Sequence, residues 1–107
     1  MKINILGTQY QLRYETATDA KKIENSNGYI EPYSKEMVIS NFIEDGTTIN
    51  NLEDFEKKVI RHEIIHAFLQ ESGLSCNSDW ATNEEMIDWI ALQFPKLVKA
   101  FEEAKAI

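Results

Sequence analysis

The sequence predicts an α+β fold, a small antiparallel sheet packed against a central helix and a C-terminal pair of helices. Three observations carry this. Residues up to Ser40 alternate apolar and polar side chains in short runs divided by turn formers; residues from Leu52 to Leu69 carry apolar side chains at helical spacing; and Thr82 to Ile107 does so again behind a capping signal. At 107 residues the chain fits a single domain covering its whole length, with room for one modest core.

Taken in order, Lys2-Ile3-Asn4-Ile5-Leu6 alternates loosely, Gly7-Thr8 supplies a turn, and Tyr10 to Tyr14 alternates again with residues that favour strands. This is the pattern of a β-hairpin. Thr18 to Glu24 reads as a short helical turn and Asn25-Ser26-Asn27-Gly28 as a loop. Tyr29 to Tyr33 suits an extended edge or connector, because Pro32 has no N–H for a central ladder. Lys35 to Ser40, with Met37-Val38-Ile39 inside it, is the third strand, and Ile43 to Asn51, with Asp45-Gly46, is a loop.

From Val59 to Leu69 the first long helix is apolar on nearly every side, with Ile60, Ile64 and Phe68 on one face and Ile65 and Leu69 on another. Such a helix is a buried one. Gly73 is its expected stop, and Leu74 to Trp80 reads as a loop. In the last third, Thr82 stands three residues before Glu85, the spacing of a capping box. Pro95 is expected to kink that stretch or divide it into two helices near Phe94.

A net charge of −7 argues against nucleic acid or an anionic membrane as partner, since both select a basic surface. The single cysteine, Cys76, cannot form an internal disulfide, and no run reaches transmembrane length or resembles a signal-peptide core. The expected location is the cytoplasm.

The chemistry is concentrated in His62-Glu63-Ile64-Ile65-His66, which holds both histidines of the chain. A helix turns about 100° per residue, so His62 and His66 lie within about 40° of each other, one turn apart on one face. Two imidazole nitrogens so placed reach a single zinc ion at about 2.0–2.1 Å. Glu63 falls beside that face, where its carboxylate stands next to a water at the metal rather than binding the ion. Taken singly, these residues would read as two partly buried histidines and a surface acid; the spacing, the intervening acid and the helical context together favour zinc.

A second signal lies downstream. On the last helix Met86, Ile87, Ile90, Ala91 and Phe94 make one apolar face; Glu84 sits at its border with Asp88 one turn on, while Glu85 points roughly opposite. Glu84 is therefore the expected third ligand and Asp88 its neighbour in support.

His62-Glu63-Ile64-Ile65-His66 followed by Asn83-Glu84-Glu85-Met86-Ile87-Asp88 resembles the gluzincin, thermolysin-like zinc metallopeptidases in a minimal form, and more weakly small phage or bacterial proteins of that stripped-down kind. The family's downstream signature is an Asn-Glu pair with an Asp four residues after the Glu. The resemblance covers Arg61 to Ala91 and implies that His62, His66 and Glu84 bind zinc, that Glu63 is the catalytic base, that Asp88 orients a ligand histidine, and that the substrate is a peptide or protein. The metzincin pattern is excluded, because its glycine and last-histidine positions are Leu69 and Ser72. The family's oxyanion-stabilising histidine also has no counterpart; Tyr29, Tyr33, Tyr10, Tyr14 and Arg13 are the substitutes to consider. A family-like cleft is lined by a sheet edge, for which Lys35 to Ser40 is the expected strand. The alternative is a binding or regulatory module without catalysis whose zinc is structural, with Cys76 as fourth ligand.

Overall fold

A computed structural model describes residues 1–16, 27–42 and 50–107. Its elements are β1 (Lys2–Ile5), β2 (Thr8–Glu15), β3 (Gly28–Glu31), β4 (Glu36–Ser40), α1 (Leu52–Glu71), the short α2 (Leu74–Asn77), a 3-10 turn (Asp79–Thr82) and α3 (Glu84–Glu103). The α+β class is as the sequence predicts. Thr18 to Glu24, Asn25 and Ser26, and most of the loop after Phe42 lie outside the described residues.

The N-terminal hairpin forms, with Ile5 opposite Thr8, so its two-residue turn is Leu6-Gly7 rather than Gly7-Thr8. Both turn residues have positive φ, 50° and 89°, which matches the twist of the flanking strands and favours glycine at the second place. The sheet order is β1-β2-β4-β3. β2 and β4 run parallel, Gln11 facing Glu36 through to Glu15 facing Ser40, while β1–β2 and β3–β4 are antiparallel. The sheet is thus mixed, where a purely antiparallel one was expected. β3 and β4 form a second hairpin, and it is that hairpin which turns β4 parallel to β2; a two-residue side-chain period reads the same in either direction. β4 accordingly lies inside the sheet and does not line its edge. The edge strands are β1 and, beside β4, β3, the stretch containing Tyr29 whose edge character Pro32 implies.

α1 is the central helix. Ile5, Tyr10, Met37 and Ala67 form one buried cluster, and Leu12, Ile39, Phe42 and Val59 another, so α1 covers one face of the sheet along its length. Each such large side chain contributes roughly 1.5–3 kcal/mol on burial. The opposite flank of α1 packs on α3 and the segment before it through Leu69, Ala81 and Ile87. The burial is less complete than the all-round pattern predicts: only Val59, Glu63, Ala67 and Leu69 are buried, Ile60, Ile64 and Ile65 are half-buried, and Phe68 is exposed. The C-terminal end of α1 is tied to the sheet by Glu71, which accepts from the Tyr10 hydroxyl at 2.7 Å, from the Lys35 ammonium at 2.7 Å and from Thr8 at 3.1 Å. Burial and the neighbouring Glu71 carboxylate together push the Tyr10 hydroxyl well above its usual range.

α1 ends where expected, at Gly73 with φ 83°. The following stretch is not a plain loop; it contains α2 and the 3-10 turn, each four residues, too short to leave a helical period in the sequence. The cap of α3 is Asn83, whose Oδ1 accepts from the Met86 N–H at 2.8 Å. Thr82, the expected cap, instead donates back to the Asp79 carbonyl at 3.0 Å, so Glu85 has no capping-box partner there. α3 then runs unbroken through Pro95 to Glu103, a single helix in place of the expected pair.

Candidate metal centre

α1 and α3 run antiparallel, which brings the middle of α1 to the first turns of α3. His62 and His66 present their Nε2 atoms 3.2 Å apart. The two carboxylate oxygens of Glu84 reach across from α3, one 3.0 Å from His62 Nε2 and the other 2.9 Å from His66 Nε2. Two ligand atoms on one tetrahedral zinc ion, each about 2.0–2.1 Å from it, are separated by roughly 3.3 Å. The three donors are therefore spaced as ligands of one ion are, and a borderline-soft set of two imidazoles and one carboxylate suits zinc. Lone pairs and a carboxylate facing one another at this distance repel unless a cation or proton stands between them. Burial pulls the His66 imidazole below its usual range and the charge of Glu84 opposes this, with the net direction downward, so a proton is held poorly there at neutral pH.

His62 is held from behind. Its Nδ1–H donates to Asp88 Oδ1 at 3.0 Å, which fixes the tautomer that leaves Nε2 free as a ligand atom. Lys58 donates to the same oxygen at 3.0 Å. Burial raises the Asp88 carboxyl, but the hydrogen bonds from Lys58 and His62 more than offset it, and the group sits below the usual range, ionised and able to orient the ring. Lys58 was not singled out from the sequence; it lies one helical turn before His62 on the same face, which is the signal that identifies it.

Glu63 lies about 100° round the helix from His62, on the side toward the sheet. It is 5% exposed, and ligand-capable atoms of His62, Glu63 and His66 all lie within 4.8 Å of one another. Burial pushes its carboxyl up to about 7, His62 opposing and Glu84 adding to the rise. Above it β3 passes closely at Gly28, where a Cβ would stand 2.8 Å from the Val38 carbonyl oxygen and 3.3 Å from Glu63 Cγ. Only glycine fits there against the Val38 carbonyl, with the acid close alongside. Gly28→Ala is expected to lower stability by about 1–3 kcal/mol, through displacement of β3 or Glu63; an unchanged thermal melt would show that the close approach is not needed.

These residues open into a cleft of ≈530 Å3 lined by β3 on one side and by Lys58, His62, Glu63, His66, Glu84 and Asp88 on the other. Of the groups considered as oxyanion donors only Tyr29 lines it, and its hydroxyl is directed elsewhere. Gly28 and Ile30 face α1, so Tyr29 projects from the other face of the sheet, where its hydroxyl lies 3.4 Å from Glu15. Tyr10 is engaged with Glu71, Tyr14 with Glu56 at 3.0 Å, Arg13 with Glu15 and Glu36, and Tyr33 is fully exposed. Cys76 is exposed on α2 and is not among the residues lining the cleft. Glu85 is exposed beside Glu84 and also does not line it. No protein-family model, curated protein or solved structure matches the chain.

Proposed function

We propose that the chain is a zinc-dependent peptide hydrolase of the gluzincin kind, with His62, His66 and Glu84 holding the ion and Glu63 as general base. The observation that carries this is the spacing of 2.9–3.2 Å among four atoms of three residues from two helices, the two histidine Nε2 atoms and the two oxygens of Glu84, with a nearly buried carboxyl beside them. Zinc held there supplies a Lewis acid that polarises a scissile carbonyl and acidifies a water. Glu63, poised near neutrality, takes the proton of the attacking water and returns it to the leaving amine. Asp88 keeps His62 in its liganding tautomer, and Lys58 offsets the charge that Asp88 adds. The substrate is a peptide or protein segment lying in the cleft along β3, a strand at the edge of the sheet.

The acidic composition and the unpaired Cys76 support a cytoplasmic setting with neither nucleic acid nor membrane as partner. Among the described residues no helix is long and apolar enough to cross a membrane.

Two measurements test the proposal. Untagged protein should carry about one zinc per chain, and chelation should lower its Tm by about 20 °C, since zinc at a thousandfold excess over Kd stabilises by about 4 kcal/mol. The zinc-loaded protein should then cleave members of a broad peptide library. Zinc near zero with no uptake on addition would end the metal reading, and full zinc with no cleavage would replace the hydrolase by a module with structural zinc.

A further inference from the structure

Pro95 stands inside α3 without breaking it. Proline has no N–H, so the helical bond from residue 95 to the Ala91 carbonyl cannot form, and the ring crowds that carbonyl. In this chain Arg61, on α1, donates its Nε–H to the Ala91 carbonyl at 2.7 Å. Arg61 immediately precedes His62, and Ala91 is buried against α1.

We infer that Arg61 is a positioning residue for the zinc site. By occupying the carbonyl that Pro95 leaves unbonded, it locks the place of α3 on α1 and so sets Glu84 and Asp88 at His62 and His66. The inference rests on the zinc-site reading above. The bond joins the two helices that divide the ligands between them, and it departs from the residue adjoining the first ligand. At about 1.5 Å per residue Ala91 is roughly 10 Å along α3 from Glu84, so a change of about 10° in the helix axis at that point swings Glu84 by roughly 2 Å. Displacement of that size is enough to separate a carboxylate from ions held at about 2 Å. The other polar ties between α1 and α3 in this region, from Lys58, His62 and His66, all end on Asp88 or Glu84 themselves. Arg61 is the tie that reaches the α3 backbone.

The dependence on Pro95 makes the inference separable from a general loss of packing. Cobalt(II) alone is titrated into metal-free wild type, Arg61→Ala, Pro95→Ala and the double variant, following the visible absorption that reports tetrahedral coordination, with helix content checked by circular dichroism. With Pro95 present, Arg61→Ala should weaken cobalt binding about tenfold and reduce the tetrahedral absorption. In the Pro95→Ala background the Ala91 carbonyl regains a helical partner and is no longer orphaned when Arg61 is removed, so the same substitution, which still removes the tie to α1, should weaken binding less, about threefold. Equal losses in the two backgrounds, or no loss in either, overturn the role of Arg61. Should Arg61→Ala not fold, comparing the double variant with Pro95→Ala still decides, because the double variant must fold and must bind about threefold more weakly than Pro95→Ala; equal binding overturns the role of Arg61. Wild type that takes up no cobalt would instead remove the metal reading beneath the inference.

Discussion

Replacing Glu84 by glutamine is expected to weaken zinc binding at least about 100-fold, while Glu85→Gln leaves it within about twofold. Both acids lie in the first turn of α3 and gain equally from the positive end of its dipole, on the order of 0.3–1 kcal/mol each, so each serves as the other's control. They differ in direction. Glu84 brings one oxygen to each histidine, at 3.0 Å and 2.9 Å, whereas its neighbour points about 100° away and touches no ligand. Loss of an outer partner of a zinc site typically costs 10–100-fold in affinity, and loss of a charged ligand exceeds that. The cap at Asn83 is unaffected by either substitution, so the melting curves of the metal-free proteins should stay close together. Calorimetric zinc titrations of both variants decide the matter; equal affinities would remove Glu84 from the ligand set.

Glu63→Gln should keep zinc and lose hydrolysis, by about 10²–10⁴-fold for the loss of a general base. The same substitution should act on stability in a direction that identifies the group. Because the folded protein holds Glu63 protonated up to about 7, against 4.5 in the unfolded chain, the folded state binds the extra proton between those values. Stability from this group is complete below about 4.5, falls as pH rises through about 7, and the total loss is on the order of 3 kcal/mol. With chelator present, Glu63→Gln should therefore raise Tm at pH 8 relative to wild type by more than it does at pH 5. A difference of the opposite sign would mean that Glu63 is ionised and well paired in the fold, and unsuited to collecting a proton.

That His62 and His66 share a face, and that Glu84 rather than Glu85 lies opposite them, was legible because a helix converts sequence spacing into direction with little ambiguity. Strand direction was not, since the alternation in Met37-Val38-Ile39 is the same whichever way β4 runs, and the placement of β4 inside the sheet follows only from its hairpin with β3. The cap was missed by one position because Thr82 and Asn83 both carry suitable oxygens, and the 3-10 turn claims the first. Pro95 reads as a break because its compensation comes from Arg61, a residue with no local relation to it. Gly28 is read as a loop residue for the same reason: the atoms that demand a glycine belong to Val38 and Glu63.

α3 is 20 residues long, yet only Ile87 and Ala91 of its side chains are buried. Little apolar adhesion therefore holds it to α1, while the sheet-facing side of α1 is anchored by two larger clusters. Local opening free energy follows that division, so α3 is the segment that detaches first. Amide protons of α3 should exchange with solvent ahead of those of β2 and β4 in metal-free protein, and zinc should slow them selectively by bridging the two helices through Glu84; uniform slowing across the chain would show instead that the molecule opens only as a whole. Zinc bound as proposed would in this sense be a latch, its supply setting how often the wall of the cleft swings away from its floor.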